Sequence, residues 1–161
     1  MRLSNKKRLP YYQFVFTCIN ILLLLGVILV VLRWNGIIIN LGAYSINYLF
    51  IALPILLYIG FYLRGRPIFE YDSDGEALNF RNKNFIPFLR KESRDEFPKY
   101  KLKSYEIVNA RLFKRLYIKL QSKKGNTTVL KYDISYLKNK ELRDLKLSLN
   151  KIVKNNTEIA Q

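Results

Sequence analysis

Asp72, Asp74 and Glu76 put three carboxylates into five positions, and acid–base chemistry would be sought there first. They sit in Asp72-Ser73-Asp74-Gly75-Glu76, between two apolar runs, and Asp-Gly in that setting marks a polar hairpin turn. The chain has no histidine. That removes Ser-His-Asp and Cys-His nucleophiles, His-ligated zinc and His-ligated haem together. The one cysteine, Cys18, lies in an apolar run, where packing is its expected role, and it cannot form an internal disulfide. Neither GxGxxG nor GxxxxGK[ST] occurs. No catalytic, cofactor-binding or metal-ligating residue is therefore assigned, and an enzyme is not expected.

What remains is recognition. Asn40, Tyr44, Asn47 and Tyr48 fall on one face of a helix and form the first candidate surface, for docking another membrane protein. The second candidate is a set of cations beside aromatic residues: Arg64, Arg66, Arg90, Lys91, Arg94, Lys114 and Arg115. These would contact the phosphates of anionic lipids. The balance of 28 Lys plus Arg against 12 Asp plus Glu, net +16, agrees with a basic surface beside a membrane. Only Arg2, Lys6, Lys7, Arg8 and Arg33 of those cations precede residue 64. Despite a pI near 10.0, no nucleic-acid motif accompanies the charge, and no nucleic-acid partner is expected.

The elements that would position these residues begin with residues 11–63. They are almost continuous hydrocarbon, broken at Arg33-Trp34-Asn35-Gly36, and neither part holds a charge. A crossing takes about 20 apolar residues, so spans at 11–32 and 37–63 are expected, forming a transmembrane helical hairpin. The second is longer than one crossing needs and should tilt. Pro54 should kink it and leave the Phe50 carbonyl without its usual donor. Asn20, Ser45 and Asn47 are expected to hydrogen-bond between the helices. Four cations precede span one, Arg64 and Arg66 follow span two, and the turn holds only Arg33. Cations stay on the cytoplasmic side, so both termini are expected there. The first apolar run is too long for a signal-peptide core and lacks a small-x-small cleavage site.

Residues 1–10 are then a basic cytoplasmic tail, 64–67 a linker stopped by Gly65 and Pro67, and 68–153 a cytosolic domain. Alternation predicts strands at 68–71, 77–81, 105–112, 116–121 and 127–132. Pro87 and the charge cluster at 90–96 read as a loop, with Phe85, Phe88 and Leu89 at an aromatic tip. Leu142, Leu145, Leu149 and Ile152 repeat at helical spacing. They predict an amphipathic helix of about 14 residues, capped by Asn139 and ending at Asn155-Asn156. Residues 154–161 should fray.

Antiparallel strands, a long middle hairpin and one closing amphipathic helix, placed directly after two spans, resemble the bacterial pleckstrin-homology-like domains. Phe97-Pro98-Lys99-Tyr100-Lys101-Leu102-Lys103-Ser104-Tyr105-Glu106-Ile107 is similar to their central strand. Lys123-Lys124-Gly125 and Ile134-Ser135-Tyr136-Leu137 resemble their last hairpin and helix entrance. The resemblance covers about residues 67–153 and implies seven strands, where five are legible. It implies an α+β membrane protein whose sheet or barrel is closed by a C-terminal helix, with no catalytic residues and with protein, peptide or lipid ligands. The expected function is a non-catalytic accessory or scaffold protein of a bacterial inner-membrane complex, with anionic-lipid binding as the alternative. The Lys-, Asn-, Ile- and Tyr-rich composition points to an A·T-rich bacterial genome.

Overall fold

A computed structural model describes residues 1–36, 45–85, 91–121 and 127–159. It divides into two units, residues 10–63 and a second unit made of residues 1–9 with 64–161.

In the apolar unit, α1 is Leu9–Trp34 and α2 is Ser45–Arg64. Phe16 packs on Phe61 and Tyr58, the Tyr58 hydroxyl donates to Asn20 Oδ1, and Gly26 lies against Phe50. Contacts running in opposite chain directions make the helices antiparallel. A Cβ on Gly26 would come within 2.8 Å of the Phe50 carbonyl oxygen. The carbonyl that Pro54 deprives of a donor thus faces the residue that lets the backbones approach. Asn20 was correctly expected to bond between helices, but its partner is Tyr58. Among the described residues one helix, Lys6–Trp34, is long and apolar enough to cross a membrane; Tyr48–Arg64 is apolar and shorter.

The other unit is α+β, with two antiparallel sheets and a helix. The first sheet runs β1 (Arg2–Ser4), β2 (Ile68–Asp72), β3 (Ala77–Lys83), β4 (Ser93–Pro98). The second runs β5 (Leu102–Asn109), β6 (Lys114–Gln121), β7 (Thr127–Asp133). Helix α3 is Asn139–Ile159. Alternation places Leu3, Phe69, Tyr71, Leu78, Phe80 and Phe97 of the first sheet inside, facing Leu102, Leu116, Ile118 and Tyr132 of the second. Phe80 stacks on Phe97 and on Tyr132, with centroids 5.6 and 4.8 Å apart. Leu145, Leu149 and Ile152 close the core from α3.

Five expectations need correction. Residues 1–10 are not a tail: Leu3 pairs with Tyr71 across a separation of 68 positions and is buried. A three-residue strand is too short to show a period, so charge dominated its reading. The charge cluster is not all loop. Ser93–Pro98 is an edge strand, with Asp95 turned inward to accept from the Tyr132 hydroxyl at 2.8 Å. The strand expected at 105–112 ends at Asn109, because Ala110 N–H donates to the Phe113 carbonyl and closes a turn. Helix α3 runs on to Ile159, since Asn156 donates to the Lys99 and Leu102 carbonyls at 2.7 and 2.9 Å. Its cap is also different. Asn139 is helical, the Lys138 carbonyl takes the first helical bond, and Glu141 accepts from Lys138 N–H at 2.8 Å.

Burial, and then the bond to Asp95, pushes the Tyr132 hydroxyl well above its ordinary 10.0; burial also raises Tyr71. The fold holds neutral phenols, so this stabilisation is whole below about pH 10 and is lost as pH rises further. Thermal melts between pH 8 and 12 should fall steeply above 10, and Tyr132→Phe should flatten part of that fall. An identical profile in the variant would rule Tyr132 out as a cause.

Candidate functional site

The residues assigned a linker role belong to a buried polar cluster. Gly65 adopts φ +83°, the left-handed region that favours glycine, and is buried. A Cβ there would lie 2.5 and 2.6 Å from the two carboxylate oxygens of Asp133. The chain turns there so that Arg66 N–H can donate to Asp133 Oδ2 at 3.2 Å. Arg115 Nε faces Oδ1 at 3.4 Å, and its guanidinium covers the Phe113 ring at 4.1 Å. Asp133 is 3% exposed and held by the charges beside it.

Asn82, with no exposed surface, ties the two sheets together at this point. Its amide donates to the Ile68 carbonyl at 2.9 Å and the Asp133 carbonyl at 3.1 Å. Its oxygen accepts from Asp133 N–H at 2.8 Å and Arg66 Nη1 at 3.4 Å. All four bonding positions of the side chain are filled. Asn5 repeats the device on the other strand, donating to the Pro67 carbonyl at 2.7 Å and accepting from Phe69 N–H at 2.8 Å.

The two places where the chain leaves this unit for residues 10–63 are held by consecutive residues. Ser135 Oγ donates to the Arg64 carbonyl at 2.6 Å and accepts from Lys114 N–H at 3.0 Å. Arg8 Nη1 donates to the Tyr136 carbonyl at 3.0 Å, and its other nitrogen pairs with Glu141. Residues 64–67 are accordingly a clamped joint and not a loose linker.

The predicted site residues distribute unevenly. Arg64, Arg66, Lys114 and Arg115 come together here, but one guanidinium nitrogen of Arg66 is turned onto Asn82 and Arg115 Nε onto Asp133. Arg94 stands opposite Arg81 on the outer face of the first sheet, away from this cluster. Lys91 is exposed just before β4, and Arg90 lies outside the described residues. Of the docking face, Tyr48 is 62% exposed on α2, and Asn47 is in α2 without a described side chain. Asn40 and Tyr44 lie outside the described residues.

Asp74 and Glu76 occupy the β2–β3 turn, as expected, whereas Asp72, expected in the turn, ends β2 and pairs across the sheet with Arg2 and Asn79. Asp72 accepts from Asp74 N–H at 2.9 Å and pairs with Arg2 at 2.9 Å. Among the described residues no group of His, Cys, Asp or Glu could hold a metal ion. Sequence reasoning missed Asn5, Asn82 and Asp133. A polar residue at an inward strand position was the one signal available, since Asn82 breaks the rhythm of β3 at the point where Phe80 is inside. The cluster's bonds fix backbone. Set against family models, curated proteins and solved structures, the chain matches none of them.

Proposed function

We propose that this is a non-catalytic accessory protein of a bacterial inner membrane. In this reading residues 11–63 cross as a two-helix hairpin, and a cytosolic pleckstrin-homology-like domain offers a protein-binding surface to a larger membrane complex. The pairing of β1 with β2 carries the topology. Residues 2–4 and 68–72 belong to one sheet, so the chain between them starts and finishes on one side of any membrane. An even number of crossings follows. With α1 long enough to span, α2 is the segment available for the return. The positive-inside bias then puts the shared domain in the cytoplasm. Among the described residues six strands, β2–β7, and α3 fall in the stretch that the resemblance covers, and β1 adds a seventh strand from outside it, which supports the domain reading.

On this reading the hairpin is an insertion between two neighbouring strands, and its roots are gripped by Asn5, Arg8, Asn82 and Ser135. A partner that tilts the helices would pull directly on β1 and β2. Mild-detergent purification of the tagged protein should bring down a stoichiometric membrane partner. Asn47→Leu with Tyr48→Leu should reduce its recovery several-fold. A protein recovered alone, or unchanged recovery with the double variant, would count against the docking face.

A further inference from the structure

We propose that the turn between β5 and β6, residues 110–113, rests on the anionic headgroup surface of the bilayer beside the hairpin root. The inference builds on the membrane placement argued above and assigns the lipid contact to a specific element. Lys114 follows the turn directly, and its N–H is held by the same Ser135 hydroxyl that grips the Arg64 carbonyl. The turn therefore lies at the end of the domain from which both strands of chain depart.

Its tip is apolar and outward. Leu112 is 57% exposed, and Arg115, stacked on Phe113 and paired with Asp133, fixes the ring beside it. A single exposed leucine is ordinary on a soluble surface. Here the exposed Arg111 precedes it, and the exposed Arg64, Lys6, Lys7 and Lys138 lie at or within two residues of the groups bonded by Ser135 and Tyr136 at the same end. Two carboxylates at this end are already paired, Glu141 with Arg8 and Asp133 with Arg115. An apolar tip within a ring of cations suits an anionic interface, where the tip enters the headgroup layer and the cations meet phosphate. The bonded Arg66 and Arg115 act as struts for this contact, leaving Arg111 and Lys114 as its reaching cations.

The single tryptophan, Trp34, makes the test clean. Full-length protein would be reconstituted into vesicles containing brominated phospholipid, with either anionic or zwitterionic headgroups. Wild-type Trp34 fluorescence reads whether the helices are embedded. In a Trp34→Phe background, Leu112→Trp reads the turn. The expected result is quenched, blue-shifted emission from the Leu112→Trp indole in anionic vesicles. Removing Arg111 or Lys114 should lower the docked-to-free ratio about fivefold for each cation lost, and high salt should weaken docking further. Water-like, unquenched emission at position 112 while Trp34 is quenched would overturn the proposal and leave the hairpin standing. Equal quenching in zwitterionic vesicles would overturn its electrostatic basis. Unquenched Trp34 would remove the membrane reading and the proposal together.

Discussion

Gly65→Ala is expected to lower the stability of the unit formed by residues 1–9 and 64–161 by about 3 kcal/mol, against about 1 kcal/mol for Gly75→Ala. Both glycines have positive φ, +83° and +72°, so both variants carry the same backbone penalty of about 1–2 kcal/mol. Only at Gly65 does the new methyl meet anything. It would press on the Asp133 carboxylate, which is buried and bonded to Arg66 and Arg115, whereas nothing lies within 4 Å of a Cβ on Gly75. Relief requires either Asp133 to move away from Arg115 or residues 64–67 to leave β7. For a unit of roughly this size the difference of about 2 kcal/mol corresponds to about 10 °C in Tm. Thermal melts of the full-length variants in detergent would read it. Equal losses at the two positions would mean that the joint is not clamped as described.

The second large effect should come from Asn82→Ala, at about 3 kcal/mol. The side chain makes four hydrogen bonds, and truncation leaves Asp133 N–H and the Ile68 and Asp133 carbonyls without that partner in a fully buried site. Each such orphan costs about 1–3 kcal/mol, with relaxation recovering part of the sum. Asn79→Ala, on the exposed face of the same strand, should stay within about 0.5 kcal/mol. Hydrogen exchange adds a local reading. The Arg66 and Asp133 amides should lose protection in Asn82→Ala before the β5–β6 amides do. Uniform loss across the unit would show that Asn82 contributes only to global stability. Asn82→Asp should not rescue the fold, because a carboxylate cannot donate to the two carbonyls and adds charge beside Asp133.

The two effects meet at one joint, which the resemblance-based boundary at 68–153 divides. Its components are Asn5, Gly65, Arg66, Asn82 and Asp133, contributed by four separate stretches of the chain. Gly65 and Arg66 were legible as helix stop and cation. Their engagement was not. A basic residue next to an apolar run reads as a headgroup contact until the strand that returns an aspartate to it is known. Arg115 makes the same point, since Phe113-Lys114-Arg115 reads as an interfacial motif while the folded chain turns Arg115 onto Asp133 and the Phe113 ring.

By itself the sequence determined what neighbours in the chain can encode. Hydrocarbon runs defined both apolar helices, Asp-Gly defined the β2–β3 turn, the leucine spacing defined the inner face of α3, and the missing histidines excluded whole chemistries. Local signals of this kind repeat within a few residues and survive without knowledge of the fold. The tertiary structure alone decided that Arg2–Ser4 belongs to the first sheet, that Ser93–Pro98 closes its far edge, and that Asn82 and Asp133 tie the residues following α2 to both sheets. These depend on which distant segment arrives opposite, and a three-residue strand or one buried asparagine carries too few positions to announce its partner.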